Sequence, residues 1–241
     1  MITCIIQARM SSSRLPGKVM EKIHEDKRVI DYVVDQLTAS KKIEKIIVAI
    51  PDTLEDNVTY EHLISKNISV YRGSLKNVLD RYYQCANLNC SSIIVRITAD
   101  CPLIDPQIVD RVITKFVKND FDYVANTHPR TFPYGTETEV FSFEALKQAW
   151  TETNDEFDQE HVTPYFYKNP EKFKMGNLSQ DLNQSDYRWT IDYAEDLEFV
   201  KKVTHRIQKN PILTEHIIEL LKKNPEIVKI NKKYNHESME N

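Results

Sequence analysis

The chain has 241 residues, 41% of them hydrophobic, with a formal charge of −4, which is enough apolar material for one sizeable core. An acidic balance without a basic stripe argues against a general nucleic-acid binder, and no run approaches the roughly 20 apolar residues that cross a bilayer. Cys4, Cys85, Cys90 and Cys101 lack Cys-x-x-Cys spacing and read as free buried thiols rather than disulfides or zinc ligands, which predicts a reducing, cytoplasmic setting.

Residues 3–6 form an apolar run that reads as a buried strand. It empties into a loop, residues 8–18, that holds Arg9, Arg14 and Lys18, the serines Ser11, Ser12 and Ser13, and no acid before Glu21. Cations, hydroxyls and backbone N–H groups at a strand end suit a polyphosphate; the same composition also describes a solvated basic loop. It is not the P-loop of ATPases, which needs a glycine where Ser12 stands and a hydroxyl where Val19 stands.

Apolar spacing predicts a helix over 29–37, a strand over 45–50, a helix over 54–66, a strand over 68–71 and a helix over 75–86 opened by Gly73-Ser74. The near-continuous apolar run 92–97 predicts a central strand covered on both faces, ending towards Asp100. This alternation means an α/β fold, a mostly parallel sheet with crossover helices on both faces. A helix follows from Pro106, then a strand over 123–125 and a Pro-rich, aromatic excursion over 128–141, of the kind that caps a pocket or makes a dimer contact. Helices are predicted over 143–150, 156–167 with a break at Pro164, 194–208 and 214–223, with strands over 173–178 and 187–189. Residues 1–231 read as one domain and 232–241 as a flexible tail.

Ligands of open α/β sheets sit at the carboxyl ends of strands, where the basic loop and Asp100 both fall. Asp100 reads as an Mg²⁺ ligand, because hard oxygen donors suit that ion, or as a helix cap. Asp105, directly before Pro106, is the better cap. Asp192, ahead of Glu195-Asp196, reads by position as a cap of the following helix.

Gln7-Ala8-Arg9-Met10-Ser11-Ser12-Ser13-Arg14-Leu15-Pro16-Gly17-Lys18 resembles the N-terminal signature of sugar-acid cytidylyltransferases, and most closely that of the spore coat polysaccharide biosynthesis protein F family. Three later blocks resemble the same family in the same order: Arg96-Ile97-Thr98-Ala99-Asp100-Cys101-Pro102-Leu103-Ile104-Asp105, Glu160-His161-Val162-Thr163-Pro164-Tyr165, and Arg188-Trp189-Thr190-Ile191-Asp192-Tyr193-Ala194-Glu195-Asp196-Leu197. Together they span roughly residues 1–205, and the combination is more specific than any one block.

The resemblance implies a Rossmann-like nucleotidyltransferase fold of the GT-A-like kind, assembled as a homodimer. It implies CTP as donor, a sugar or sugar-acid hydroxyl as acceptor, and Mg²⁺ shared by Asp100 and Asp192. Carried over, Ala8, Arg9, Ser11, Ser12, Ser13, Arg14 and Lys18 grip the triphosphate, with Arg9, Arg14, Lys18 and Asp100 catalytic, and Ser74 and Arg81 lie towards base and ribose. Tyr134, Gly135, Glu137, Glu139 and His161 face the acceptor. Lys18, as a loop cation, is expected to be exposed and to matter little for packing. Arg96-Ile97-Thr98 stands where the classical enzymes carry a glutamine-containing loop, and related spore-coat sequences tend to have aspartate where Glu137 stands. The alternative is a glycosyltransferase that consumes a nucleotide-sugar.

Overall fold

The computed structural model describes residues 1–24 and 26–234. Seven strands form the main sheet: β1 (Ile2–Gln7), β4 (Lys45–Pro51), β5 (Val70–Gly73), β6 (Ile93–Thr98), β7 (Tyr123–Ala125), β8 (Glu139–Ser142) and β9 (Met175–Asn177). The remaining two, β2 (Lys22–His24) and β3 (Lys27–Arg28), make a small antiparallel hairpin. Spatial order in the main sheet is β5-β4-β1-β6-β8-β7-β9. Every pairing is parallel except those of β8, which runs against both β6 and β7. From β1 the chain steps outward through β4 and β5, then returns to the other side of β1 as β6. Strand order therefore reverses between β1 and β6, the place where open α/β sheets bind ligands.

Helices α1 (Val29–Thr38), α2 (Asn57–Ser65), α3 (Val78–Leu88), α4 (Pro106–Asn119), α5 (Phe143–Glu152), α6 (Glu156–His161), α7 (Pro164–Lys168), α8 (Ala194–Arg206), α9 (Thr214–Lys223) and α10 (Pro225–Val228) surround the sheet. Alternate residues of β1 point to opposite faces: Cys4 and Ile6 join the core that holds α1 and α4, while Ile5 joins the one under α3 and α5. All three are fully buried, and an aliphatic side chain so placed contributes about 1.5–3 kcal/mol by transfer from water. A third core gathers Trp189, Ile191, α8, α9 and α10. That core carries the segment ending at Asp192.

Most of the expected elements form, with shifted ends. α3 begins at Val78 rather than at Gly73-Ser74, because the Ser74 hydroxyl accepts Asn77 N–H in a turn and the Asn77 side chain then caps the helix on Asp80 N–H. The strand expected over 187–189 is only a bridge, Tyr134 to Arg188. Of the four thiols expected to be buried, the structure buries all but Cys90. The excursion folds inward, with Phe132 and Tyr134 buried and Tyr134 bonded through its backbone to Tyr187 and Trp189. The tail expected from Lys232 is a helical turn at Lys232–Tyr234, where Tyr234 stacks on Tyr193 and Lys233 pairs with Glu195; residues 235–241 lie outside the described residues. No described helix is long and apolar enough to cross a membrane.

Candidate active site

The basic loop leaves β1 and is folded back by its own backbone: Ser12 N–H and Gly17 N–H both donate to the Met10 carbonyl, and Met10 N–H donates to Asp56. Gly17 has φ +73, a left-handed conformation that glycine adopts without steric cost. The turn aims Lys18 into the protein. Lys18 is 9% exposed, contrary to the expectation of a solvated loop cation. Its ammonium donates to Asp100 Oδ2 at 2.8 Å, Asp192 Oδ1 at 2.9 Å and the Ile191 carbonyl at 2.7 Å. Three acceptors saturate its three hydrogens.

Both aspartates are spared from capping. Asp105 caps α4 by accepting Gln107 and Ile108 N–H, and also takes Thr214 N–H. Asp196 accepts Asp192 and Tyr193 N–H at the start of α8. Asp192 is left to Lys18, to Arg14 at 2.9 Å, and to Arg188 at 2.8 Å. Arg188, 3% exposed, donates also through Nε to Asp196 at 3.0 Å, so one buried guanidinium holds both carboxylates in place.

Burial raises the Asp100 pKa, but the Lys18 charge and hydrogen bond, helped by Thr98, outweigh it and hold the carboxyl at about 2. Burial likewise lowers Lys18, and the two aspartates outweigh that and raise it. Asp100 is ionised throughout the neutral range. Its stabilising effect is complete above the ordinary aspartate value and is lost as pH falls towards 2.

A cleft of about 160 Å³ opens between β1 and β6, lined by the loop from Gln7 to Val19, by Thr98 to Asp100 and by Asp192. Ala8, Arg9, Ser12, Ser13, Arg14 and Lys18 thus come together with both aspartates. Ser11 instead lines a neighbouring hollow of about 470 Å³ with Arg9, Leu75, Lys76 and Glu160, where Arg9 pairs with Glu160 at 3.4 Å. Neither Ser74 nor Arg81 lines the 160 Å³ cleft. Arg81 is fully buried, bonds the Ser74 carbonyl at 2.6 Å, and among the described residues leaves Nε and Nη2 without a partner. Burial pulls its pKa down to about 10, with Arg9 adding to the effect.

The residues expected to face the acceptor divide. Glu137 lies beside the Asp100 side of the cleft, 3.7 Å from the Cys101 sulfur, which itself is 3.6 Å from Asp100 Oδ1. It is held by Gly135 N–H at 2.8 Å and by Arg130, whose guanidinium stacks over Tyr134 at 3.8 Å. Glu139 pairs through its carboxylate with Arg96 and accepts the Tyr123 hydroxyl at 2.6 Å. His161 is exposed at the end of α6, 4.3 Å from the Phe157 ring. Desolvation of its ring lowers its pKa, with Glu160 opposing and Arg96 and Arg9 lowering it further.

Gly135 has φ +99, and a Cβ there would stand 2.6 Å from Trp189 Cδ1 and 2.8 Å from Thr190 N. Gly135→Ala must therefore push back the segment that carries Asp192. We expect at least about 2–3 kcal/mol of destabilisation together with reduced turnover; a thermal melt and an activity assay that match wild type would refute it.

Hard oxygen donors from Asp100 and Asp192 meet at one ammonium, and among the described residues no set of three or more His, Cys, Asp or Glu side chains could cage a metal alone. This donor set fits Mg²⁺, which takes one or two carboxylates and completes its shell with substrate phosphates and water. Two carboxylates and a cationic loop thus meet at the strand-order reversal.

The family whose sequence profile is described as cytidylyltransferase matches residues 3–235. The chain belongs to the cytidylyltransferase family. It is 31% identical to the spore coat polysaccharide biosynthesis protein SpsF of Bacillus subtilis, over 93% of this chain and 95% of that one. It is 25% identical to the 3-deoxy-manno-octulosonate cytidylyltransferase of Thermodesulfovibrio yellowstonii, over 77% and 71%. A solved cytidylyltransferase structure from Leptospira borgpetersenii superposes with a TM-score of 0.90 at 34% identity, covering 94% of this chain and 96% of that one.

In this cytidylyltransferase, Arg188 and Asp196 escaped sequence reading although both lie in a block that carries the resemblance. The available signal was the four-residue spacing Arg188, Asp192, Asp196 beside the buried Trp189. Gln7 escaped too. A polar residue closing an otherwise buried strand was its signal.

Proposed function

We propose that this cytidylyltransferase moves CMP from CTP onto a hydroxyl of a sugar acid, with Mg²⁺ bound by Asp100 and Asp192, in the making of a surface polysaccharide or glycan. The observation that carries the reading is the Asp100–Lys18–Asp192 cluster facing the Arg9–Lys18 loop. The acceptor hydroxyl oxygen bonds to the α-phosphorus as the bond to the bridging β-phosphate oxygen breaks, pyrophosphate leaves and the hydroxyl proton passes to solvent, so no covalent enzyme intermediate is needed. Arg9 and Arg14 orient the phosphates and absorb their charge, and Lys18, its hydrogens taken by Asp100, Asp192 and the Ile191 carbonyl, holds the carboxylate pair together beside them. Bound there, Mg²⁺ supplies further charge neutralisation at the phosphates. Glu137, next to Cys101 and Asp100, is the residue best placed to meet the acceptor. Arg81, with two unpaired buried donors, supports the base-side role carried over for it. The sugar-acid class is supported by the name of the Thermodesulfovibrio relative, and the pathway by that of the Bacillus one. A cytoplasmic homodimer completes the proposal. Three buried thiols, Cys4, Cys85 and Cys101, support the reducing compartment, and light scattering tests the assembly.

A pyrophosphate-release screen of the four nucleoside triphosphates against acidic and neutral sugars tests the function. CTP with an acidic sugar should give pyrophosphate. No pyrophosphate with any pair, and turnover of a nucleotide-sugar instead, would favour a glycosyltransferase.

Arg14 offers the cleaner binding test, because its side chain is 40% exposed while that of Lys18 is 11% exposed. Arg14→Ala should weaken Mg²⁺–CTP affinity about tenfold or more, the worth of a charge-assisted hydrogen bond, with the melting temperature nearly unchanged. Calorimetry showing wild-type affinity would remove Arg14 from the phosphate site.

A further inference from the structure

A polar chain runs beneath the cleft that the roles above do not use. Gln7 closes β1 as the register partner of Thr98 on β6, and its half-buried side chain lines the cleft. Its amide oxygen accepts from Arg96 Nη2 at 3.3 Å. Arg96 is paired with Glu139, and Glu139 accepts the Tyr123 hydroxyl. Glu139 and Tyr123 are 7% and 3% exposed.

A guanidinium has donors only, so Arg96 decides which way the Gln7 amide is turned. The oxygen faces Arg96 and the NH₂ faces away from it. Among the described residues that NH₂ has no protein acceptor. Buried ion pairs add little net stability, but this one locks a side chain at the edge of a ligand cleft.

We propose that Gln7 is a specificity-determining hydrogen-bond donor to the nucleoside half of the nucleotide, with Arg96, Glu139 and Tyr123 as its positioning residues. The inference rests on the reading of the cleft as the CTP site. Phosphates are drawn to the charged end, where Arg14, Lys18 and Asp192 stand. Gln7 and Thr98 line the same cleft with neutral side chains, and the neutral polar part of a nucleotide is its nucleoside. The acceptor atoms of a nucleoside are the ribose oxygens and, on cytosine, O2 and N3. An amide NH₂ serves either.

The test is calorimetry with Mg²⁺ on wild type, Gln7→Leu and Gln7→Glu, titrating CTP, UTP, CMP and inorganic tripolyphosphate. Both variants should bind CTP and CMP about tenfold more weakly and tripolyphosphate as wild type does. Glutamate is the sharper variant: it can still reach Arg96, but an ionised carboxylate has no hydrogen to donate. A wild-type preference for CTP over UTP that collapses in both variants places the contact on cytosine N3; a preference that survives at lower affinity places it on the ribose or on O2, which uracil shares. Unchanged CTP affinity overturns the proposal, as does an equal loss of tripolyphosphate binding, which would mean a distorted loop. Failure of wild type itself to bind CTP would instead reject the cleft as the nucleotide site.

Discussion

Asp100→Asn and Asp192→Asn will each lower kcat/KM by roughly a thousandfold, the scale of several kcal/mol of charge stabilisation at the phosphates, and the double variant will cost little more. The two carboxylates reach a single ammonium from different parts of the chain, the turn after β6 and the segment before α8. Groups that act as one unit lose their function together, so their deletions do not add. The capping alternative predicts otherwise: asparagine caps as well as aspartate, and the structure assigns the caps to Asp105 and Asp196. Each single variant should lose about 1.5–3 kcal/mol of stability, the worth of one hydrogen bond between charged groups. The double variant strips Lys18 of both counter-ions and will melt lower still, so turnover must be measured well below that transition. Additive losses, or near-normal turnover in either single variant, would show that the pair is not a shared site.

Arg188→Met will destabilise the protein by about 3–5 kcal/mol, because it leaves the buried Asp196 carboxylate without its cation, while Asp192 keeps Lys18 and Arg14. Asp196 is fully buried and Asp192 is 7% exposed. Asp196 keeps two backbone N–H donors and the Asn231 amide at 2.9 Å, which places the loss towards the lower end. For a chain of this size each kcal/mol lowers the melting temperature by about 2–4 °C, so a drop of roughly 6–12 °C is expected. Activity should fall as well, since Asp192 loses the contact that orients it. Arg188→Lys keeps the charge but cannot span Asp192 and Asp196 with a planar fork; it should recover part of the stability and little of the turnover. A melting temperature within about 2 °C of wild type for Arg188→Met would show that the network is dispensable.

Much of this follows from local pattern. Apolar periodicity placed β1, α1, β4, β6 and α4 because each must bury a continuous stripe or a whole strand, and such elements read at the period of their own geometry. The pairing of Asp105 with Pro106 identified a cap, and by elimination set Asp100 apart. The cationic loop was legible as a charge imbalance within ten residues. The residues proposed for the site came mainly from resemblance. The tertiary structure alone decided that Lys18 turns inward, since its environment is made by Asp100 and Asp192, residues 82 and 174 positions away. It alone decided that Glu139 pairs with Arg96, because β8 runs antiparallel to β6 and sets Glu139 opposite Arg96 in the ladder. The hairpin of β2 and β3 and the short α10 escaped for a related reason: stretches of two to four residues carry no periodicity of their own. Propensity and pattern act over a turn or a strand, whereas burial of a charge is settled by whichever distant carboxylate the fold brings within 3 Å of it.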